Sequence, residues 1–218
     1  MVRLFLLFRC LKELTPSISS AIIQHFITLR DARSAIVAYF YFDFRDVDKK
    51  HRRNLLPSLL IQLSSQSGPG LSILSRVYSS FEASKEQPSE HVLAQCLKDM
   101  LKTCQLPTYI ILDALDECPN ASGIPTSRGH VLALVKDIVD LHLPNLRICV
   151  TSRPAIDIST GFKYLTCSDL SLHDQLGQKK DIDEYINSVV QSDPQMIRWR
   201  ADDRKLVIDT LSEKADGM

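Results

Sequence analysis

Two short apolar runs limit this chain's fold more than any other feature. Tyr109–Leu112 ("YIIL") and Leu146–Val150 ("LRICV") are too short for buried helices and lack a clean polar alternation. Near-continuous apolar runs of that length mark strands covered on both faces, as in a parallel sheet. Ala35–Phe44 ("AIVAYFYFDF") adds a third strand, rich in aromatic and β-branched residues, and a weaker one lies within Lys163–Leu172. Helix-period stretches separate them. Residues 17–32 place Ile18, Ile22, His25, Phe26 and Leu29 on one face. Residues 51–66 carry Leu55, Leu56, Leu59, Leu60 and Leu63, with Pro57 expected in the first turn. Residues 89–104 start at a Ser cap and carry Val92, Leu93, Cys96, Leu97 and Leu101, and residues 130–143 repeat the pattern. Strands alternating with helices require crossover connections, and so predict a doubly wound α/β parallel sheet.

After about residue 175 the pattern changes. "QKKDIDEYINSVVQS" and "ADDRKLVIDTLSEKA" are amphipathic helices with no strand between them, the start of a helical appendage that Trp199 is expected to anchor.

Lys plus Arg and Asp plus Glu each number 26 in 218 residues, so the formal net charge is zero. Such a balance argues against a nucleic-acid or membrane surface. "KKHRR" (49–53) reads as a solvated helix start. The N-terminal apolar stretch Leu4–Phe8 is broken by Arg9, too short for a secretion signal or a membrane span. The cysteines (Cys10, Cys96, Cys104, Cys118, Cys149, Cys167) show no CxxC spacing and read as reduced residues of an intracellular protein. The histidines (His25, His51, His91, His130, His142, His173) show no metal-ligand spacing, and no GxSxG motif occurs.

The chemistry gathers at "YIILDALDECP" (109–119). Strand C-termini line the ligand crevice of a parallel sheet, so Asp113 is expected to emerge there. One carboxylate at that place can hold a phosphate-bound Mg²⁺, directly or through water. Ala114 leaves space beside it, and Asp116 or Glu117 could orient or deprotonate an attacking water. A solvated acidic loop is the plainer alternative. "LRICVTSRP" (146–154) ends in Thr151, Ser152 and Arg153 before Pro154, and Arg153 there could neutralise a terminal phosphate or pair with an acid such as Asp113. Asp43 and Asp46 could face the same crevice but read as surface acids.

In order, "AYFYFDFRD", "LLPSLLIQLSSQ", "YIILDALDECP", "RICVTSRP" and "EKADGM" resemble the NACHT module of fungal STAND-class NTPases. The narrower resemblance is to the nephrocystin-like N-terminal domain that precedes ankyrin or other repeats. It runs from about Ser19 to Met218 and implies a P-loop NTPase fold of the additional-strand type. The implied division is an atypical segment 1–18, an α/β core 19–174, and the start of a helical subdomain at 175–218. The resemblance further implies Mg²⁺ and ATP or GTP as cofactors, with Asp113 at the metal-coordinating place. It puts Asp116 and Glu117 at the catalytic acidic pair, and Arg153, with Thr151 and Ser152, at the sensor strand end. The implied role is a cytoplasmic signalling switch whose partners are proteins reached through flanking domains, and further copies of itself.

A phosphate loop needs GxxxxGK[ST]: glycines that let backbone N–H groups wrap the phosphates, a Lys, and a metal-binding hydroxyl. The family places it just before "SSAIIQHF", yet no glycine precedes Gly68. An ungapped count puts the first strand on Leu4–Phe8 and the loop on Arg9–Pro16 ("RCLKELTP"), with Thr15 at the Lys place and Pro16 at the hydroxyl place. Leu4, Leu7, Phe8, Leu11 and Leu14 also share a helical face, so strand and helix both fit here. Losing four or five charge-assisted contacts, each worth roughly 1.5–3 kcal/mol, turns micromolar binding into none of use. The expectation is therefore a degenerate NACHT switch, or a truncated gene model, since "KADGM" stops where the family pattern continues. A non-catalytic scaffold that keeps the fold is the alternative.

Overall fold

The computed structural model describes residues 3–8, 15–43, 52–82, 87–120, 127–163, 165, 167–171 and 176–215. The elements run β1 (Arg3–Phe8), α1 (Thr15–Asp31), β2 (Ile36–Tyr41), α2 (Arg52–Ser64), α3 (Gly68–Glu82), α4 (Glu90–Thr103) and β3 (Thr108–Asp113). A 3₁₀ turn at Leu115–Glu117 follows, then α5 (Ser127–Val139), β4 (Leu146–Ser152), α6 (Ile156–Phe162), β5 (Cys167–Ser171), α7 (Leu176–Ser192) and α8 (Ala201–Ala215).

The five strands form one sheet in the order β2-β3-β4-β1-β5. The pairs β2/β3, β3/β4 and β1/β4 are parallel. β4 is thus an additional strand between β1 and β3, as the family resemblance implies. Leu4–Phe8, which fits strand or helix by its residues alone, is strand, with Leu4 level with Ile148.

Both faces of the sheet are covered, which is why its strands read as continuous apolar runs. Ile36, Ala38, Phe40, Ile110, Leu112, Ile148 and Val150 pack on one face against Leu55, Leu59 and Leu63 of α2, Leu97 and Leu101 of α4 and Val135 of α5. Val37 and Ile111 point to the other face and meet Ile23 and Phe26 of α1. Ser89 caps α4 as expected: its hydroxyl accepts a hydrogen bond from the Val92 N–H.

Several boundaries differ from the sequence pattern. β2 ends at Tyr41 rather than Phe44, and α5 spans Ser127–Val139 rather than 130–143, its connection to β4 passing through His142 at positive φ. Pro57 lies inside α2, beyond the first turn. Helix α3 was hidden by its opening "GPG", although Pro69 is tolerated in a first turn. Gly70 is buried there, and a Cβ would come 3.2 Å from Met100 Cε, a tight contact that a small shift of the flexible methionine end relieves. Asp46 and residues 49–51 of the basic cluster lie outside the described residues.

The α/β unit runs to Leu170, and a second compact unit holds Ser171–Met218. In the latter, α7 is followed by a 3₁₀ turn at Met196–Arg198 and then α8. Among the described residues no helix is long and apolar enough to cross a membrane.

Candidate functional site

Strand register builds the site. Leu112 is level with Val150, so Asp113, the next residue of β3, arrives beside Thr151 of β4. The Thr151 hydroxyl donates to Asp113 Oδ1, and the Ala114 N–H donates to the same hydroxyl oxygen at 3.0 Å. Asp113, Thr151 and Ser152 are buried polar groups at the C-terminal strand ends, and Asp113 and Thr151 are bonded to each other as buried groups should be. On the far side of β4, Leu7 is level with Thr151 and Phe8 with Ser152. The chain therefore leaves β1 at the height of the acidic strand end. The loop positions 9–14 that would carry phosphate donors lie outside the described residues.

The chain turns sharply after Asp113. Ala114 adopts the left-handed conformation (φ 56°, ψ 48°), and Leu115–Glu117 form a 3₁₀ turn closed by Glu117 N–H donating to Ala114 O at 2.9 Å. Leu115 and Cys118, on either side of the two acids, are fully buried. An alanine in that conformation costs about 1 kcal/mol relative to glycine. Ala114→Gly is accordingly expected to raise stability by a few tenths of a kcal/mol to about 1 kcal/mol, read as a higher unfolding midpoint. A lower midpoint would show that the turn is not strained at this residue.

That turn carries Asp116 round to Arg153. Asp116 accepts from both the backbone N–H of Arg153 (2.9 Å) and its Nε (2.6 Å). The acid is the more buried partner, with side-chain exposures of 12% for Asp116 and 46% for Arg153. The hydrogen bond to Asp116 raises the Arg153 pKa further above its already high value. Of the acids Arg153 could have met, Asp116 is the partner rather than Asp113, because β4 presents Thr151 to Asp113 and the Ala114 turn swings Asp116 outward.

The sequence pattern did not single out Arg128, at the start of α5. Its Nε donates to Cys118 O (3.0 Å), one terminal nitrogen to Asp116 O (2.6 Å) and the other to Asp157 Oδ2 (2.9 Å). One guanidinium thus ties the acidic turn, α5 and α6 together. Before the fold is known, an isolated Arg after "NASGIPTS" gives no signal of this.

A hard cation such as Mg²⁺ takes oxygen ligands in octahedral geometry. Among the described residues there is no group of three or more His, Cys, Asp or Glu able to enclose a metal. Asp113 and Thr151 supply one carboxylate and one hydroxyl. They fit Mg²⁺ only as part of a set completed by phosphate oxygens and water. Cys96, Cys104 and Cys118 are free and buried, and burial pushes the Cys118 thiol up to about 11. Asp43, just past β2, lies at the same end of the sheet, since Phe42 N–H donates to Asp113 O.

The profile of the family described as "Nephrocystin 3, N-terminal" matches residues 17–153. No curated protein matches the sequence. Among solved structures, a chain in "Structure of Drosophila ORC bound to DNA" is similar at a TM-score of 0.52 with 11% identity, over 97% of this chain and 47% of that one. The chain thus spans about half the length of that structure's chain, and the likeness concerns the fold, which is α/β and P-loop NTPase-like.

Proposed function

This chain belongs to the nephrocystin 3 N-terminal family, and from that premise we propose that it is a degenerate, NACHT-type nucleotide-switch module. The carrying observation is the alignment of three strand ends: Asp113 of β3, Thr151 and Ser152 of β4, and the end of β1 at one height. In this reading Asp113, oriented by Thr151, would hold Mg²⁺ through water beside the phosphates of ATP or GTP. Arg153 would face the terminal phosphate. Asp116 and Glu117 keep the family's catalytic places, but Asp116 is already engaged by Arg153, and the sequence before Gly68 offers no glycine cradle. Binding is therefore weak and hydrolysis impaired. The working context is a cytoplasmic signalling protein that engages protein partners and further copies of itself, with no role for nucleic acid or membrane.

The alternative is a scaffold that keeps the fold without the nucleotide. The bonding of the Asp116 carboxylate to Arg153, and of Arg128 to the backbone carbonyls of the acidic turn, favours it, since both give the turn a structural task. Titration with a fluorescent ATP analogue, with and without Mg²⁺, tests the proposal. The expected dissociation constant is on the order of millimolar, with modest Mg²⁺ dependence that Asp113→Ala removes. Submicromolar, Mg²⁺-dependent binding would overturn the degenerate reading, and no binding at any accessible concentration would leave the scaffold alone standing.

A further inference from the structure

β2 is an edge strand, with β3 on one side only. Alternate residues of such a strand point their N–H and C=O groups toward the neighbour and away from it. Ile36 N–H donates to Pro107 O and Phe42 N–H to Asp113 O, so the even-numbered residues face β3. Val37 and Tyr39 face outward, where an unpaired strand edge normally offers itself to another chain.

Their outward groups are taken by two glutamines. Gln62 of α2 accepts from Tyr39 N–H at 3.0 Å and donates to Tyr39 O at 2.8 Å. Gln66, in the turn that ends α2, accepts from Val37 N–H at 2.9 Å and donates to Val37 O at 2.7 Å. Each amide therefore reproduces the donor and acceptor pair of a peptide group. The spacing fits as well: four residues of helix rise about 6 Å and two residues of strand about 6.8 Å, so one helical turn keeps step with the edge. Gln62 is steadied in turn by Ser58 Oγ at 3.1 Å, and Gln66 Nε2 also donates to Gln62 O at 2.7 Å.

The strand so covered at Val37 and Tyr39 is "IVAYFY", six residues without charge, proline or glycine. That composition is the signature of segments that pair with copies of themselves. We propose that the β2 edge is a strand-docking surface held shut by Gln62 and Gln66, and that its occupant when open is the β2 edge of a second copy of this chain. The side-chain amides stand in for the missing strand and keep the module from pairing through this edge.

Hydrogen exchange on the unaltered protein gives the first test. Although they lie on an edge, the Val37 and Tyr39 amides are expected to exchange on the order of a hundredfold or more slower than free amides. Exchange at the free rate would overturn the proposal. The second test uses Gln62→Met with Gln66→Met, which keeps side-chain length and helix preference and removes the amides. Sedimentation is expected to show concentration-dependent dimers for this variant alone. A fluorescent, lysine-flanked "IVAYFY" peptide is expected to bind the variant at least tenfold more tightly than the parent, and N-methylation of alternate peptide amides to abolish the gain. A folded variant that stays monomeric and ignores the peptide would overturn the proposal. Should the double variant not fold, Gln66→Met alone, which frees the Val37 end of the edge, goes through the same sedimentation and peptide measurements with the same outcomes.

Discussion

Arg128→Ala is expected to lower stability by about 3 kcal/mol, because it strips partners from three oxygens at once. The Cys118 and Asp116 carbonyls and the Asp157 carboxylate all accept from this one guanidinium. Its side chain is mostly buried, so water replaces it poorly. For a chain of this size, the unfolding midpoint should fall by about 6–12 °C. Arg128→Lys keeps the charge but lacks the planar fork, and a lysine can serve only part of this set; it should recover less than half of the loss. A midpoint within about 2 °C of the parent for the alanine variant would show that the acidic turn holds itself without Arg128.

Leu115→Ala is expected to cost a similar amount, about 3 kcal/mol, by a different route. Leu115 is fully buried in the main core cluster and sits between Asp113 and Asp116 in the tight turn. Truncating such a leucine loses its burial and leaves a cavity, with losses of about 2.7–5 kcal/mol in comparable cores. Leu115→Met, which conserves volume, should cost under about 1.5 kcal/mol. The two variants also separate packing from local order. If Leu115 anchors the turn, the Glu117 amide, bonded to Ala114 O, should exchange faster in the alanine variant even after correction for global stability. A cost below about 1 kcal/mol would mean that the core closes over the gap.

The sheet was legible because its strands are covered on both faces. "YIIL" and "LRICV" could be nothing else at that length, and the helix face of residues 89–104 declared itself together with its Ser89 cap. Leu4–Phe8 could not be settled locally, since its apolar spacing suits either element. Only pairing with β4, far along the chain, makes it a strand. Helix α3 was missed because Gly68, Pro69 and Gly70 are turn residues by preference, and the packing of Ile73, Leu74 and Val77 on the core overrides that preference. At the site, the strand-end positions of Asp113, Thr151 and Arg153 followed from topology. The pairing of Asp116 with Arg153 depends on the left-handed Ala114, and the role of Arg128 on the arrival of α5 beside the turn. No residue spacing announces either. The glutamines on the β2 edge look like ordinary polar helix residues until the edge itself is seen.

The seating of β1 against β4 has a consequence for synthesis. Arg3–Phe8 leaves the ribosome well ahead of its partner Leu146–Ser152, which follows only after most of the α/β unit has been made. At about 5–20 residues per second, β1 waits on the order of ten seconds with its backbone unpaired. Meanwhile β2 and β3 can already zip together, since Ile36–Tyr41 and Thr108–Asp113 are both complete first. β4 must therefore dock on a partly built sheet while leaving its other edge for a strand that emerged long before. The nascent chain closes its centre late, with only the edge strand β5 still to come.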